Sequence, residues 1–263
     1  MKNIYLILLS VTLLFSACED VIEIDLKNTN PVVVIEANIN DVFGSHIVKI
    51  SQTKPFTEDN TVISINNADV VLKDLTENRT YNFARPLNGN DYILSNFRGK
   101  SGNTYQLEAT VNNILYTATC KMPQKVNIDS LSVTELSFFG NTQKYLQVNY
   151  NDPLGVANQY NYVLTVNGEV RNAFYVDSDR FNDGKKVTNT IFNDDPELVK
   201  GDSVKIDFQC IDMTIYRYFF AISQISGNGG PPTAPSNPDS NFNNGALGYF
   251  SAHTSQTKTA VIP

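Results

Sequence analysis

"GNTYQLEATVNNILYTATCKMP", residues 102–123, sets two strand-like runs on either side of a pair of asparagines. Thr104 to Val111 reads as one strand and Leu115 to Met122 as the next, with Asn112-Asn113 as the turn and Pro123 as the stop. Asparagine tolerates the backbone of tight turns and proline cannot donate to a ladder, so local chemistry supplies the punctuation. The same rhythm extends upstream. Pro31 to Ile39 is β-branched and is followed by a turn at Asn40–Ser45, and His46 to Ser51 then alternates with period two. Ala68 to Leu75, Thr80 to Ala84 and Asp91 to Ser95 complete a set of short strands at roughly ten-residue spacing, which predicts a β-sandwich over residues 31–123.

Downstream the style repeats without sequence repetition. Leu131 to Phe139, Tyr145 to Asn151, Tyr160 to Val166, Val170 to Val176, Val187 to Phe192 and Val204 to Cys210 read as strands. Asn167-Gly168 is a strong hairpin signal, because Asn-Gly suits a type I′ turn. "DMTIYRYFFAISQISG" breaks the rhythm: Ile215, Phe219, Ile222 and Ile225 fall at near-helical spacing, Asp212 can cap the front and Gly227 can close the end. A helix is expected at about 212–226, then a Gly/Pro/Asn-rich loop over 227–246, then strands at Ala246–Ala252 and Lys258–Ile262. The expected fold is therefore mainly β: two immunoglobulin-like or fibronectin-like sandwich domains in tandem, 31–123 and 124–263. The second carries one helix near its C-terminal part, and Pro123 with the polar residues after it forms the linker.

Residues 1–17 read as an address. Lys2 precedes an apolar stretch from Ile4 to Phe15, shorter than the ~20 residues a membrane-spanning helix needs. Ser16-Ala17-Cys18 is similar to a bacterial lipobox, with Phe15 where leucine is usual. Cys18 is thus the expected lipidation site and membrane attachment point, since several acyl chains on one cysteine give stable anchoring. Residues 18–30 follow as an acidic tether. Glu19 and Asp20, with Glu23 and Asp25 behind them, resemble the surface-export signal of Bacteroidetes lipoproteins.

The formal charge of −7 becomes one unit more negative once Lys2 is removed, and no basic stripe is present, so nucleic-acid binding is not expected. Cys120 and Cys210 lie far apart in sequence and are expected to be free, buried thiols. Catalytic candidates are few. The two histidines are His46, read as a strand-face residue, and His253, with no G-x-S-x-G elbow. "SQTK" occurs at 51–54 and again at 255–258, in strand-like surroundings where an S-x-x-K pair would need a helix. "DSDRFNDGK", Asp177 to Lys185, resembles a calcium loop. Aligned on Gly184, however, it puts Phe181 at an oxygen-ligand position and Thr190 where a glutamate is needed, so a polar hairpin turn is the better reading. Tyr145, Tyr150, Tyr160, Tyr162 and Tyr175 read as core or cross-strand pairs rather than as a sugar platform. The loop at 227–244 is the better candidate for a partner surface. No catalytic, cofactor or metal site is expected.

Four stretches carry a family resemblance: "CEDVIEIDL" followed by "VVVIEANI"; "VKISQTKPF"; residues 102–123; and "IYRYFFAIS" followed by a Pro-rich loop and "SNFNNGALGYFSAH". Their order and spacing resemble the Bacteroidetes outer-membrane lipoprotein family known as domain of unknown function 4249, whose members are often encoded beside TonB-dependent receptors. The resemblance implies a non-catalytic, lipid-anchored outer-membrane protein, exposed at the cell surface, that serves a TonB-dependent nutrient-uptake receptor as an accessory or binding component. The alternative is a fimbrial or adhesin-type structural subunit built by strand donation.

Overall fold

The last strand of the chain organises the molecule. In the computed structural model, which describes residues 30–263 apart from 56–58, 60, 194–195 and 226–236, β16 (Leu247–Val261) is one continuous strand. Its first half pairs in parallel with β1 (Val33–Asn40), from Val34 opposite Leu247 to Asn40 opposite His253. Its second half pairs antiparallel with β15 (Ser203–Ile211), from Cys210 opposite Thr254 to Ser203 opposite Val261. Beyond β1 the sheet continues through β2 (Gly44–Gln52) to β3 (Ile63–Ser64) and β6 (Asp91–Phe97). Beyond β15 it continues through β11 (Gln159–Val166) to β12 (Glu169–Val170) and β13 (Tyr175–Ser178), making nine strands.

Two smaller sheets face this one. The first has the order β5 (Arg79–Asn82), β4 (Asp69–Asp74), β7 (Thr104–Val111), β8 (Ile114–Lys121). The second has the order β14 (Lys186–Ile191), β10 (Asn141–Asn151), β9 (Ile128–Phe138). The alternation read in residues 104–111 is what builds the first core: Tyr105, Leu107, Ala109 and Val111 turn inward against Ile35, Ile39, Val48 and Ile50. Full burial of one such aliphatic side chain contributes about 1.5–3 kcal/mol. The second core gathers Leu146, Val148, Leu164 and Ile206 around the rings of Tyr150, Tyr160, Tyr162 and Phe208. The fold is mainly β, in two sandwich layers, as expected.

Local signals held where the contacts are local. Asn112 and Asn113 take φ of 48° and 64° between β7 and β8, and Asn167 with Gly168 takes 52° and 89° between β11 and β12, the left-handed pair of a type I′ turn. The helix, α1 (Met213–Ile225), starts where Asp212 accepts the amide of Thr214 at 2.7 Å, and it buries Ile215 and Phe219. Gly227, expected to close it, lies outside the described residues.

Chain order and spatial order part company at the domain boundary. Residues 31–263 form one compact unit. The core built by residues 35–122 also takes in Ile211, Ile215, Phe219, Phe242, Ala246, Phe250 and Ala252, all from the segment 124–263. The division expected at residue 123 is therefore one between cores rather than between stretches of chain. The expected linker is pinned as well. Lys125 Nζ donates to Ser255 O at 2.7 Å and pairs with Asp41 at 3.0 Å, while the Val126 amide donates to Cys210 Sγ at 3.3 Å.

Of the expected loop 227–246, residues 237–246 are described, and their asparagines stitch the first sandwich shut. Asn241 exchanges two hydrogen bonds with the backbone of Phe250, as a neighbouring strand would, while Asn243 and Asn244 bond to Thr117 and Leu115 of β8.

Candidate functional site

On β16, side chains at 249, 251, 253 and 255 point away from the two cores, because successive residues of a strand face opposite sides. Register places Asn38 and Asn40 of β1 beside Ser251 and His253, and Gln209 of β15 beside Ser255 and Asn161. On this outer face a patch of neutral amides and hydroxyls lies between the Glu36–Lys49 pair of β1 and β2 and Asp207 of β15.

α1 lies across this face and closes one side. Phe219 meets Tyr249 edge-on at 5.0 Å between ring centroids, and Tyr218 meets the same ring at 5.0 Å. The opposite wall is Arg171–Phe174, a stretch expected to be strand but released from the ladder between β12 and β13. The Arg171 amide still bonds to Leu164 O at 2.8 Å, and three residues on Phe174 stacks on Phe219 at 5.4 Å. Aromatic packing on the helix thus replaces strand pairing.

Between these walls is a cleft of about 510 Å³, within the range of small-molecule sites. Asn161 Nδ2 donates to Gln209 Oε1 at 2.7 Å, and Asn38 Nδ2 donates to the Tyr249 hydroxyl at 3.1 Å. Each of these groups keeps at least one further donor or acceptor. Arg171 also lines the cleft, and its Nε is buried with no hydrogen-bond partner among the described residues. No carboxylate lines the cleft, so Arg171 is the one fixed charge there among the described residues. An adjoining hollow of about 370 Å³ shares Asn38, Asn40 and Tyr249 and extends towards Lys49.

His253 closes the floor. Its Nδ1 lies 3.0 Å from Ser251 Oγ, but Ser251 is fully buried, so this Ser–His contact does not open to a substrate. Burial holds the His253 pKa down to about 4, against the opposing fields of Asp207 and Asp41. A histidine depressed below its unfolded value of roughly 6.5 leaves its stabilisation intact above that pH and loses it as pH falls towards the folded value. The expected result is a loss of up to about 3 kcal/mol between pH 6.5 and 4. Urea midpoints across that range should fall more steeply for the wild type than for His253→Gln; parallel curves would contradict it.

The other sequence candidates lie elsewhere. Cys18, Glu19 and Asp20 are outside the described residues. His46 is on β2, its ring packed edge-on against Phe97 at 5.2 Å and its Nε2 3.1 Å from Phe97 O, which is a structural placement. Ser255 to Lys258 run along β16, and Ser51 and Gln52 are the last two residues of β2. Tyr145, Tyr150, Tyr160 and Tyr162 are buried in the core, as alternating strand aromatics should be, and Tyr175 is half-buried. Cys120 and Cys210 are free and buried, one in each core.

The stretch Asp177 to Lys185 brings Asp179 and Asp183 together with Asp152, their carboxylates within 4.8 Å of one another. Each has a loop-closing role. Asp152 accepts from Tyr160 OH and the Gly184 amide, Asp179 from the Asn158 amide, and Asp183 from the Gly155 amide.

Sequence reading missed the cleft. Its one signal was the placing of Asn38, Asn40, Asn161 and Gln209, neutral amides on the outward side of strands, where charged residues would keep a face solvated.

The fold and cleft define a two-layer β-sandwich protein with a concave site between helix and sheet. The chain belongs to the family described as Domain of unknown function (DUF4249), whose profile matches residues 19–259. Among solved structures it is similar to a two fibronectin type-III domain segment from chicken tenascin, at 12% identity over 69% of this chain and 91% of that one, with a TM-score of 0.23. No curated protein matches it. Among the described residues no helix is long and apolar enough to cross a membrane.

Proposed function

We propose that the protein is a non-catalytic, lipid-anchored binding component at the outer membrane, attached through Cys18 and serving a TonB-dependent uptake receptor. The observation that carries the binding role is the cleft of about 510 Å³ lined by amides, aromatic rings and one arginine. Such a lining holds a polar ligand by hydrogen bonds and ring contacts, and it offers no acid–base pair for turning one over. The anchor and export reading rests on "SACEDVIEIDL", and the receptor on the family resemblance.

The fimbrial alternative has less support. Strand donation needs a strand that can leave, whereas β1 is hydrogen-bonded along both edges, to β16 and β2, with Ile35, Ala37 and Ile39 fully buried.

Two measurements test the proposal. Crosslinking in intact cells followed by purification from detergent-solubilised outer membranes should recover a TonB-dependent receptor with the protein. Cys18→Ala should move the protein out of the membrane fraction and abolish that recovery. A wild-type protein that crosslinks to no receptor would sink the partnership, and a Cys18→Ala variant that stays membrane-bound would sink the anchor.

A further inference from the structure

Arg171 has a buried Nε that nothing among the described residues satisfies, and it faces a cleft with no carboxylate in its lining. Asp202 feels its charge, but the two oxygens of Asp202 accept from Asn167 Nδ2 and the Val199 amide, both at 2.8 Å. A guanidinium stays protonated at any physiological pH and presents its N–H groups in a planar fork that matches a carboxylate. Arg171 is half-buried as a whole, and an anion entering the cleft would meet its charge with no carboxylate of the lining to compete.

The rest of the lining selects what carries the anion. Of the strands that floor the cleft, β1 is paired with β16 and β2, and β15 with β11 and β16, so neither offers a peptide an open edge to join. The polar side chains that line the cleft are mostly amides. An amide offers a donor and an acceptor, as a hydroxyl does, so neighbouring amides such as Asn161 and Gln209 suit a molecule carrying several hydroxyls. The half-exposed rings of Tyr249 and Phe174 add apolar surface for the face of a sugar ring.

We infer that the cleft between α1 and the nine-stranded sheet binds an acidic saccharide, its carboxylate on Arg171 and its hydroxyls on the amides of Asn38, Asn161 and Gln209. This rests on the binding role proposed above and names the class of ligand for it.

The test is an array of mono- and disaccharides bearing uronic or sialic acids, each beside its methyl ester, probed with the full-length mature chain. The ester keeps the hydroxyls and removes the charge, so the wild type alone answers the question even if a variant folds poorly. The acid form of at least one saccharide should bind about tenfold more tightly than its ester. Arg171→Gln should lose that advantage, bringing acid and ester to similar affinity, and Tyr249→Ala should weaken both forms. Equal binding of acid and ester by the wild type would overturn the assignment of Arg171 while leaving the cleft a binding site. Retention of no saccharide, or competition only by a short peptide with a free carboxylate, would overturn the ligand class. Recovery of the receptor by crosslinking is unaffected by these outcomes, so the two proposals fail separately.

Discussion

Gly248→Ala is expected to destabilise the protein by about 3–5 kcal/mol. Gly248 sits inside β16 with φ of 90°, a left-handed value that an L side chain adopts only under strain. A Cβ there would lie 2.1 Å from Ile35 O, 2.8 Å from Ile35 C and 3.1 Å from Ile35 N. All three are backbone atoms of β1, so no side chain can swing aside. Relief requires β1 to move, and β1 is held between β16 and β2 with Ile35 fully buried. Urea denaturation of the variant measures the loss, and a change below about 1 kcal/mol would show that β1 is not held as rigidly as its pairing implies. Because β16 passes through both sheet halves, the loss should be shared. Cys120 in the first core and Cys210 in the second should become reactive to a thiol reagent at the same urea concentration. Two separate midpoints would mean that the cores melt independently.

The second large effect belongs to Phe208. Its ring stacks on Tyr160 at 5.1 Å and lies 4.9 Å from Tyr150 and 5.3 Å from Tyr162, and the side chain is 1% exposed. Replacing it with alanine removes the centre of this cluster and leaves a cavity between sheets already tied together elsewhere, at a cost of about 3–5 kcal/mol. The hydroxyls of Tyr150 and Tyr162 are 3.1 Å apart across the same core, so the loosened rings also disturb a buried hydrogen bond. Near-ultraviolet circular dichroism reports this environment directly, since the chain has no tryptophan and tyrosine dominates the signal. A variant that keeps both the tyrosine signal and the wild-type urea midpoint would show that the cluster repacks without loss.

The hairpin at residues 102–123, the helix start at Asp212 and the Asn167-Gly168 turn were legible because each depends on residues within a few positions of one another. Turn chemistry and apolar alternation act over that range. The strand expected at Val170 to Val176 failed for the complementary reason: its residues favour a strand, but the stacking of Phe174 on Phe219, 45 positions away, removes the middle from the ladder. Asn243 and Asn244 looked like ordinary loop composition, and their partners on β8 lie well over a hundred positions upstream.

By itself, then, the sequence determined the β class, the pairing of neighbours into hairpins and the helix at 213–225, all of which rest on short-range backbone preference and composition. Tertiary structure alone decided that Leu247 to Val261 is one strand serving two cores, and that amides from β1, β11 and β15 share one cleft with Arg171. Nothing in residues 254–257 marks the strand as continuous, because a polar stretch joins a sheet only when a partner strand fixes its register. That partner is β15, and the parallel contact between the first strand and the last joins residues at opposite ends of the described chain.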